Sequence, residues 1–559
     1  MCSISRERAL YEQWLAEPLL EPSLAQELRA CGPEEIEDRF CRPLAFGTGG
    51  LRGVLGAGIN RMNVHTVAQA TRGLAAWLRE QTPSPSAAIA YDSRLHSAEF
   101  ACVAAAELAA AGVRVWLYPE LTPTPMLSFA VRHLGCTGGI VITASHNPAK
   151  YNGYKVYGPD GCQIGPETAE RVQAEILSQP LFSPIPDFDA LVKSGAVRMI
   201  GGDVTDAYFS ALMAAVTDPP SVPLKVVYTP LNGTGNRPVR RMLAELGSIE
   251  VTVVPRQELP DGNFPTCPFP NPEVPEALTL AAELTAKTHS DFFLATDPDC
   301  DRVGMGVLEG GKIRLFSGNE TGLLLLDYIC ARRTALGTMP KRPVAVKTIV
   351  TTPLAERIAG KYGVELRNVL TGFKFIGEQI SALEAAGETD RYIFGFEESC
   401  GYLSVPFVRD KDGVNASMLI CQMAAWHKSQ GRTLSQALDA LYREFGYCRS
   451  DLLSFQFEGP GGMRAMESIM DGLRSQSPAE FAGRKVLSVI DYLAEGTGLP
   501  KSNVLALTLD GGCRIVIRPS GTEPKLKLYL SAEAGTEAEC RRTAAALANA
   551  CRAWKEALA

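Results

Sequence analysis

Hydroxyl, imidazole and ammonium groups occur close together in residues 143–155 of the chain. An apolar run over residues 138–143 leads into Ser145 and His146, and Lys155 follows shortly after. A serine beside an imidazole and an ammonium group has the composition of a nucleophile with proton-handling neighbours. A serine–histidine pair alone also fits a polar strand end, because adjacency in sequence does not supply catalytic geometry. The stretch therefore predicts a nucleophile only if other parts of the chain support one.

Three carboxylates follow the apolar strand 292–295 at alternate positions: Asp297, Asp299 and Asp301. Carboxylates at this spacing can converge on one hard cation, whose charge offsets their mutual repulsion. A calcium EF-hand is excluded, because its glycine and glutamate positions hold Arg302 and Leu308 here. A solvated acidic turn remains the structural alternative. We favour a magnesium site, since so apolar a strand precedes the loop.

Two further polar loops resemble sugar-binding segments in their composition. Residues 394–399 carry Glu397 and Ser399, and residues 409–413 carry Lys411. Ionised carboxylates accept hydrogen bonds strongly and hydroxyls both donate and accept, which suits the hydroxyl groups of a sugar. A surface turn is the alternative.

A cluster of donors and positive charge lies between the alternating strands 513–517 and 526–530. Its members are Arg518, Ser520, Gly521, Thr522 and Lys525. Glycine lets backbone amides turn inward, and the side chains add charge, so the loop can form an anion nest for a phosphate. A basic hairpin loop is the alternative.

Composition indicates an intracellular enzyme. The chain has 559 residues and a net charge of -7, which argues against a nucleic-acid partner because phosphate backbones require a basic face. The 15 cysteines show no paired spacing, so reduced thiols are the simpler interpretation. Neither a signal core nor a long apolar run is present in the sequence. We expect a cytoplasmic protein without a membrane partner.

Strand, polar loop and helix recur along the chain, at residues 87–111, 224–246 and 343–362. After a helix near residues 434–442, the last segment has alternating strands and an alanine-rich closing helix at 537–557. These patterns predict five segments: an N-terminal helical segment at 1–40, an α/β domain with the serine loop at 41–200, an α/β domain with the three-carboxylate loop at 201–315, an α/β domain with the loops at 394–399 and 409–413 at 316–445, and a C-terminal α+β domain with the anion loop at 446–559.

The four loops, in this order, resemble those of the alpha-D-phosphohexomutases, the phosphoglucomutase and phosphomannomutase superfamily. The glycine-rich segment 46–53, which contains Arg52, and the segment 91–94 agree with the family pattern, as does the segment formed by Thr371, Gly372, Phe373 and Lys374. The resemblance extends from about residue 46 to about residue 530. It implies three related α/β domains with mixed sheets and a C-terminal α+β domain around a central cleft.

The resemblance also implies a phosphoryl relay through a phosphoserine at Ser145. One Mg²⁺ per subunit would be bound by Ser145 and the three loop aspartates, with glucose 1,6-bisphosphate as intermediate and activator. Lys155 is the base that the family favours, and His146 lies near enough in sequence to share that task. Arg52 and Arg302 would add fixed positive charge.

Two groups of side chains would bind the substrate under this resemblance. Arg518, Ser520, Gly521, Thr522 and Lys525 would hold the phosphate that does not react. Thr371, Gly372, Lys374, Glu397, Ser399 and Lys411 would contribute to sugar binding. The form of the sugar loop favours glucose 1-phosphate as the substrate, with a pentose or mannose phosphate as the alternative.

Several alternatives stay open at this stage. A phosphatase of the haloacid dehalogenase type also places two aspartates after a strand, and a non-catalytic sugar-phosphate-binding protein could share the fold. The oligomeric state is expected to be a monomer or a homodimer. Cys300 lies between two proposed metal ligands, which leads to the hypothesis that its thiol is sensitive to oxidation; an inert buried thiol is the alternative.

Overall fold

The computed structural model describes six stretches of the chain: residues 5–47, 49–457, 462–476, 478–481, 483–520 and 525–557. The structure divides into two compact units. The first comprises Met1–Leu315, Ile380–Ala382 and Gly401–Gln422, and the second comprises Phe316–Gln379, Leu383–Cys400 and Met423–Ala559.

Three short helices precede the first sheet: α1 (Arg6–Ala16), α2 (Pro22–Arg29) and α3 (Pro33–Phe40). Their apolar faces form a cluster in which the Trp14 ring contacts Phe40 and Phe182 edge-on, with ring centroids 5.6 and 5.0 Å away. The carboxylate of Glu27 accepts hydrogen bonds from Arg39 and from the Ala57 amide. The three helices therefore pack on the residues that follow them in the same unit.

The first sheet has six strands: β1 (Gly50–Val54), β2 (Ser86–Tyr91), β3 (Arg114–Leu117), β4 (Gly138–Ile142), β5 (Tyr151–Tyr157) and β6 (Val197–Met199). Six helices accompany it: α4 (Val64–Gln81), α5 (Ser97–Ala110), α6 (Thr124–His133), α7 (Pro166–Ser178), α8 (Phe188–Lys193) and α9 (Gly202–Ala214). The strand order is β1-β5-β4-β2-β3-β6. β4 is parallel to β2 and antiparallel to β5, so the sheet is mixed. Every residue of β4 is buried, which fixes the position of the segment that follows it.

The second sheet has five strands: β7 (Leu224–Thr229), β8 (Ile249–Val253), β9 (Phe292–Thr296), β10 (Val303–Glu309) and β11 (Lys312–Phe316). Its helices are α10 (Asn236–Leu246), α11 (Pro255–Glu258) and α12 (Pro275–Thr288). The order is β11-β10-β9-β7-β8. β9 is buried throughout and pairs antiparallel with β10, so a tight hairpin presents the loop aspartates at the end of β9.

A third sheet contains β12 (Val344–Thr348), β13 (Glu365–Val369) and β14 (Tyr392–Glu397), and β12 is parallel to both of its neighbours. The other elements of this part of the chain are α13 (Gly318–Ala335), α14 (Leu354–Lys361), α15 (Phe373–Ala385), β15 (Gly401–Leu403), α16 (Gly413–Ser429) and α17 (Leu434–Phe445). Because the three strands are parallel, the segments after β13 and β14 leave the same edge of the sheet. These segments contain Thr371 and Ser399.

Over its described residues, the C-terminal part has a six-stranded sheet and two helices: β16 (Tyr447–Gln456), α18 (Gly462–Ser475), β17 (Glu480–Phe481), β18 (Arg484–Asp491), β19 (Leu505–Leu509), β20 (Cys513–Pro519), β21 (Lys525–Ala534) and α19 (Glu537–Ala557). All of its strand pairs are antiparallel. The predicted fold class, α/β domains with mixed sheets followed by an α+β domain, is confirmed. No helix in the described part of the chain has the length and apolar character needed to cross a membrane.

Candidate active site

Ser145 lies in a tight turn directly after β4. Its backbone has a φ of 52°, in the left-handed region that a serine rarely adopts, and the residue is only 4% exposed. The Ser145 amide donates to Thr143 Oγ1 at 2.8 Å, and that hydroxyl in turn donates to Asp92 Oδ2 at 2.7 Å. The turn is thus held by neighbouring side chains in a conformation that points the serine away from the strand.

Arg94 stabilises the same loop through hydrogen bonds to its main chain. Its guanidinium group donates to four main-chain carbonyls, those of Ser145, Asn147, Pro148 and Tyr151. The side chain is buried and forms an ion pair with Asp92, also buried. The sequence predicts no role for Arg94. Its position after β2 is the signal that could have found it, because β2 is hydrogen-bonded to β4.

The serine hydroxyl reaches the acidic hairpin of the second sheet. Ser145 Oγ donates to Asp297 Oδ2 at 2.7 Å. The other oxygen of Asp297 accepts from the amides of Asp301 and Arg302 at 3.1 and 3.0 Å. All three loop aspartates are buried, and one oxygen of each lies within 4.8 Å of the others. Four predicted site residues are therefore brought together.

The electrostatics of the hairpin suit a divalent cation. Burial, together with the Asp299 and Asp301 carboxylates, raises the pKa of Asp297 well above its usual range. Within the described residues, Asp299 Oδ1 and Asp301 Oδ1 are buried and have no hydrogen-bond partner. Orphaned carboxylate oxygens in a buried group of three carboxylates are the ligands that Mg²⁺ prefers. The donor set fits the ion that the sequence predicted.

Two ammonium groups lie beside these carboxylates. Lys155 Nζ is 2.8 Å from Asp299 and 3.3 Å from Asp301, and Lys411 Nζ is 3.2 Å from Asp301. Burial alone would lower the pKa of Lys155, but the two carboxylates raise it above its usual value, so the amine is protonated. The sequence places Lys411 in a predicted substrate-binding loop, and in the first unit its ammonium group contacts the acidic hairpin.

His146, unlike Lys155, is uncharged. Its Nδ1 lies 3.1 Å from Ser145 Oγ. Burial, aided by the positive charges of Arg302 and Arg52, lowers the pKa of His146 well below its usual range, so the imidazole is neutral. Arg302 also binds Glu273 at 3.1 Å. In this arrangement a neutral imidazole, rather than the Lys155 amine, can accept a proton near the serine.

The sugar-loop residues belong to the second unit. Glu397 ends β14, is 5% exposed and accepts a hydrogen bond from Ser399 Oγ at 2.9 Å. Thr371 Oγ1 is buried and has no hydrogen-bond partner among the described residues. Gly372 has a φ of 121°, which favours glycine, and burial lowers the pKa of Lys374. The unit therefore holds buried polar groups where the sequence predicted sugar contacts.

The phosphate loop follows β20 in the same unit. The Ser520 amide donates to the Lys525 carbonyl at 2.8 Å, which closes the base of the loop. The predicted residues Gly521 and Thr522 lie outside the described residues. Tyr529 on β21 was missed by the sequence analysis, because nothing in an alternating strand distinguishes it. Burial raises the pKa of Tyr529 to about 12; the Glu398 carboxylate also raises it, and Arg518, which hydrogen-bonds the phenol, lowers it. Tyr529 thus lies beside Glu398 and Arg518, in the two loops that are predicted to bind substrate.

Cys300 occupies the tip of the acidic hairpin with a φ of 53° and no exposed surface. Burial, with the nearby carboxylates of Asp297 and Asp412, raises the pKa of its thiol well above the usual value. A buried, protonated thiol is inert towards oxidants. The structure therefore favours the alternative that the sequence analysis left open.

Comparison with protein families gives four consecutive matches. They correspond to phosphoglucomutase/phosphomannomutase alpha/beta/alpha domains I, II and III at residues 43–181, 206–310 and 317–445, and to the C-terminal domain at 476–550. The chain belongs to the phosphoglucomutase/phosphomannomutase family. Its members are mutases, and this chain is an enzyme of that family.

Individual relatives agree. A phosphoglucomutase of Staphylococcus aureus is 39% identical over 513 residues, which cover 89% of this chain and 91% of the relative. A structure described as a phosphomannomutase from Thermus thermophilus has a TM-score of 0.70 at 24% identity, over 92% of this chain and 99% of its own. A Paramecium phosphoglucomutase, parafusin, has a TM-score of 0.67 at 18% identity, over 92% of this chain and 94% of its own. The two structures share the fold of this family member.

Proposed function

We propose that this family member is a phosphoglucomutase that interconverts glucose 1-phosphate and glucose 6-phosphate through a phosphoserine at Ser145. The observation that carries the proposal is the 2.7 Å hydrogen bond from the Ser145 hydroxyl to a buried group of three carboxylates. The choice of glucose is supported by the name of the Staphylococcus aureus relative and its 39% identity.

The reaction requires two phosphoryl transfers in opposite directions. In the first, the bond between phosphorus and Ser145 Oγ breaks and a bond to the free hydroxyl of the sugar monophosphate forms, while that hydroxyl loses its proton. The bisphosphate then reorients, and its other phosphate returns to Ser145. Catalysis of such transfers depends chiefly on positioning and charge stabilisation. The turn held by Arg94 and Thr143 supplies the positioning for the serine.

Charge and proton handling are assigned to the groups around the serine. Lys155, Arg52 and Arg302 would stabilise the negative charge that spreads over the transferring phosphoryl group. The sugar hydroxyl proton would go to His146, whose pKa is lowered, or to Lys155 once phosphate and substrate have altered its surroundings. One Mg²⁺ per subunit would be held by Ser145, Asp297, Asp299 and Asp301, and when bound it neutralises charge on the phosphoryl group.

Residues of the second unit are also assigned to substrate binding. Arg518, Ser520, Gly521, Thr522 and Lys525 are assigned to the phosphate that does not react. Thr371, Gly372, Lys374, Glu397 and Ser399 are assigned to the sugar. The orphaned hydroxyl of Thr371 supports this assignment, because a bound polyol would supply the missing hydrogen bond. Lys411 is assigned to the phosphoryl group, because of its contact with Asp301.

Two measurements test the proposal together. Intact-mass analysis before and after incubation with glucose 1,6-bisphosphate should show one added phosphate that maps to Ser145. A coupled assay with the 1-phosphates of glucose, mannose and ribose should give the highest kcat/KM for glucose. Phosphate release without isomerisation would instead indicate a phosphatase, and a preference for ribose would indicate a phosphopentomutase.

A further inference from the structure

The segment 409–413, which carries Lys411, has a buried aspartate on each side of that lysine. Asp410 precedes Lys411 and Asp412 follows it, and both lie in the first unit. A buried carboxylate is unfavourable unless it is paired and hydrogen-bonded. The groups that satisfy the two carboxylates therefore determine how the segment is held.

Two tyrosines from other parts of the unit supply hydrogen bonds to these carboxylates. The Tyr157 hydroxyl, at the end of β5, donates to Asp410 Oδ2 at 2.8 Å. The Tyr208 hydroxyl, on α9, donates to the Asp412 carboxylate, whose two oxygens are 2.9 and 2.8 Å away. Both tyrosines are fully buried. Each one therefore contacts an immediate neighbour of Lys411 in sequence, and neither is assigned to the reaction.

The main chain of the segment is fixed at both ends. The Arg409 amide donates to Ser128 Oγ at 2.9 Å. Asp412 Oδ1 accepts from two amides in the first turn of α16, both at 2.9 Å, and the Gly413 amide donates to the Cys300 carbonyl at 3.0 Å. With the main chain held in this way, the direction of the lysine side chain is what remains to be set.

Asp410 contacts the ammonium group directly. Its Oδ1 accepts from the Lys411 amide at 2.8 Å and lies 3.4 Å from Lys411 Nζ. On the other side, Lys411 Nζ is 3.2 Å from Asp301. Burial would raise the pKa of Asp410, but Lys411, Lys155 and the Tyr157 hydroxyl lower it below its usual value, so the carboxylate is charged. Asp301 is assigned to the metal, so Asp410 is the carboxylate left to hold the ammonium group.

We propose that Tyr157 is a positioning residue, which fixes the Asp410 carboxylate so that this carboxylate holds the Lys411 ammonium group against the acidic hairpin. The inference deepens the proposed function and rests on it for one step, the assignment of Lys411 to the transferring phosphoryl group. An ammonium group that is already in place stabilises the developing charge without reorganisation. Loss of Tyr157 should therefore lower kcat more than it alters KM.

Tyr154 provides a matched control on the same strand. It is also fully buried, and its hydroxyl lies 3.1 Å from Thr71 Oγ1, but it packs in the hydrophobic core. Tyr157→Phe and Tyr154→Phe each remove one buried phenol hydroxyl, so we expect similar losses of stability. Tyr157→Phe should lower kcat by about tenfold and change KM by less than about twofold, whereas Tyr154→Phe should leave both within about twofold of wild type. An equal loss of kcat in the two variants would overturn the proposal.

A double-mutant cycle tests whether Tyr157 acts through Lys411. The assay uses the sugar 1-phosphate that wild type turns over fastest. In a Lys411→Met background, Tyr157→Phe should lower kcat by less than about twofold, because the group that it positions is gone. A loss of about tenfold in both backgrounds would mean a structural role alone and would overturn the proposal.

Asp410→Asn is a second variant, which keeps the inference testable if Tyr157→Phe does not fold. It keeps the shape of the side chain and removes the charge that faces the Lys411 ammonium group. This variant should also lower kcat, and its effect should disappear in the Lys411→Met background. A full loss of kcat from Asp410→Asn in that background would contradict the proposed connection.

A measurement without turnover separates the positioning from the proposed function. Trace acetylation by an N-hydroxysuccinimide ester, quantified by mass spectrometry relative to the exposed Lys501, reports how firmly the Lys411 amine is held. The acetylation of Lys411 should be at least about threefold faster in Tyr157→Phe and Asp410→Asn than in wild type, and unchanged in Tyr154→Phe. Equal rates in all four proteins would overturn the proposal. These labelling differences without turnover of glucose 1-phosphate by wild type would count against the proposed function and leave the positioning of Lys411 standing.

Discussion

The hydroxyl of Ser145 donates a hydrogen bond of 2.7 Å to the carboxylate of Asp297, although 152 residues separate the two in sequence. One residue follows a strand of the first sheet and the other follows a strand of the second. Both strands are buried along their whole length, so neither end can move without disturbing a core. The contact therefore depends on the packing of two sheets rather than on any local motif.

Replacement of Ser145 tests the relay. Ser145→Ala should lower mutase turnover by several orders of magnitude and leave the fold intact, because the hydroxyl lies in a loop and contributes chemistry rather than packing. The variant should also acquire no phosphate from glucose 1,6-bisphosphate. Ser178→Ala, at the exposed end of α7, is the control and should behave as wild type. Near-normal turnover in Ser145→Ala would exclude the phosphoserine.

Removal of the metal should stop the reaction reversibly. Excess chelator should abolish activity and Mg²⁺ should restore it. Asp299→Asn should weaken Mg²⁺ binding measured by calorimetry, because it lowers both the charge and the ligand strength of the site. Asp189→Asn, an exposed change on α8, should leave binding as it is. Full activity in chelator would contradict the assignment of the acidic hairpin.

Arg94 should act as a positioning residue. Arg94→Lys keeps the charge but loses the planar fork that reaches the loop carbonyls. We expect the free energy of unfolding to fall by about 2 kcal/mol and kcat to fall at least tenfold, with a smaller change in KM. Arg171→Lys, in an exposed ion pair, is the matched control. If kcat were unchanged, the loop would not need the arginine to hold Ser145.

Lys347 predicts a pH dependence of stability in the second unit. Burial lowers the pKa of this lysine to about 8, against the smaller opposing effect of Glu356. The unfolded chain therefore binds more protons than the folded chain between about pH 8 and pH 10, so the contribution of Lys347 to the free energy of unfolding rises with pH, by up to about 3 kcal/mol.

Comparison with Lys347→Met isolates this contribution from other titrating groups. The free energy of unfolding of wild type minus that of the variant should increase between about pH 7.5 and pH 10, because the unfolded chain binds more protons than the folded chain in this range. Lys361→Met, which removes a partly exposed lysine paired with Glu444, is the comparison variant. If the stability difference between wild type and Lys347→Met did not change with pH, burial would not lower the pKa of Lys347.

Mutations should distinguish the residues that bind the sugar from those that bind its phosphate. Arg518→Ala should reduce kcat/KM for the glucose, mannose and ribose phosphates alike, because a phosphate contact does not distinguish sugars. Glu397→Gln should reduce it most for the preferred sugar, by about 1–3 kcal/mol in activation free energy if one charged hydrogen bond is lost. An altered ranking of sugars in Arg518→Ala, or an equal loss for all sugars in Glu397→Gln, would reverse the two assignments.

The sequence predicted the parts of the site that end strands. Ser145 and Asp297 each follow a short apolar run with a polar loop after it, and such a pattern places side chains at a sheet edge. It could not predict Arg94 or Tyr529, because their roles depend on which strands become neighbours. The position of Lys411 could not be predicted from the sequence for the same reason. Its contact with Asp301 comes from a distant loop that meets the acidic hairpin, where the Gly413 amide donates to the Cys300 carbonyl at 3.0 Å.

The charge states of Lys155 and His146 could not be predicted from the sequence, because they too depend on neighbours from distant parts of the chain. From the sequence, Lys155 and His146 are both candidate bases, because the neutral form of each side chain can accept a proton. Their opposite pKa shifts arise from the carboxylates beside Lys155 and the arginines near His146. Only the folded arrangement brings these neighbours together.

The cluster formed by Trp14, Phe40 and Phe182 makes the N-terminal helices part of the first unit's packing. The family match begins at residue 43, after α3, yet Phe182 and the Ala57 amide bind these helices from the other side. Deleting the helices would expose the Phe182 ring to water and leave the Ala57 amide without the carboxylate of Glu27. A chain cut back to the family match would therefore lose a hydrophobic cluster of its first unit.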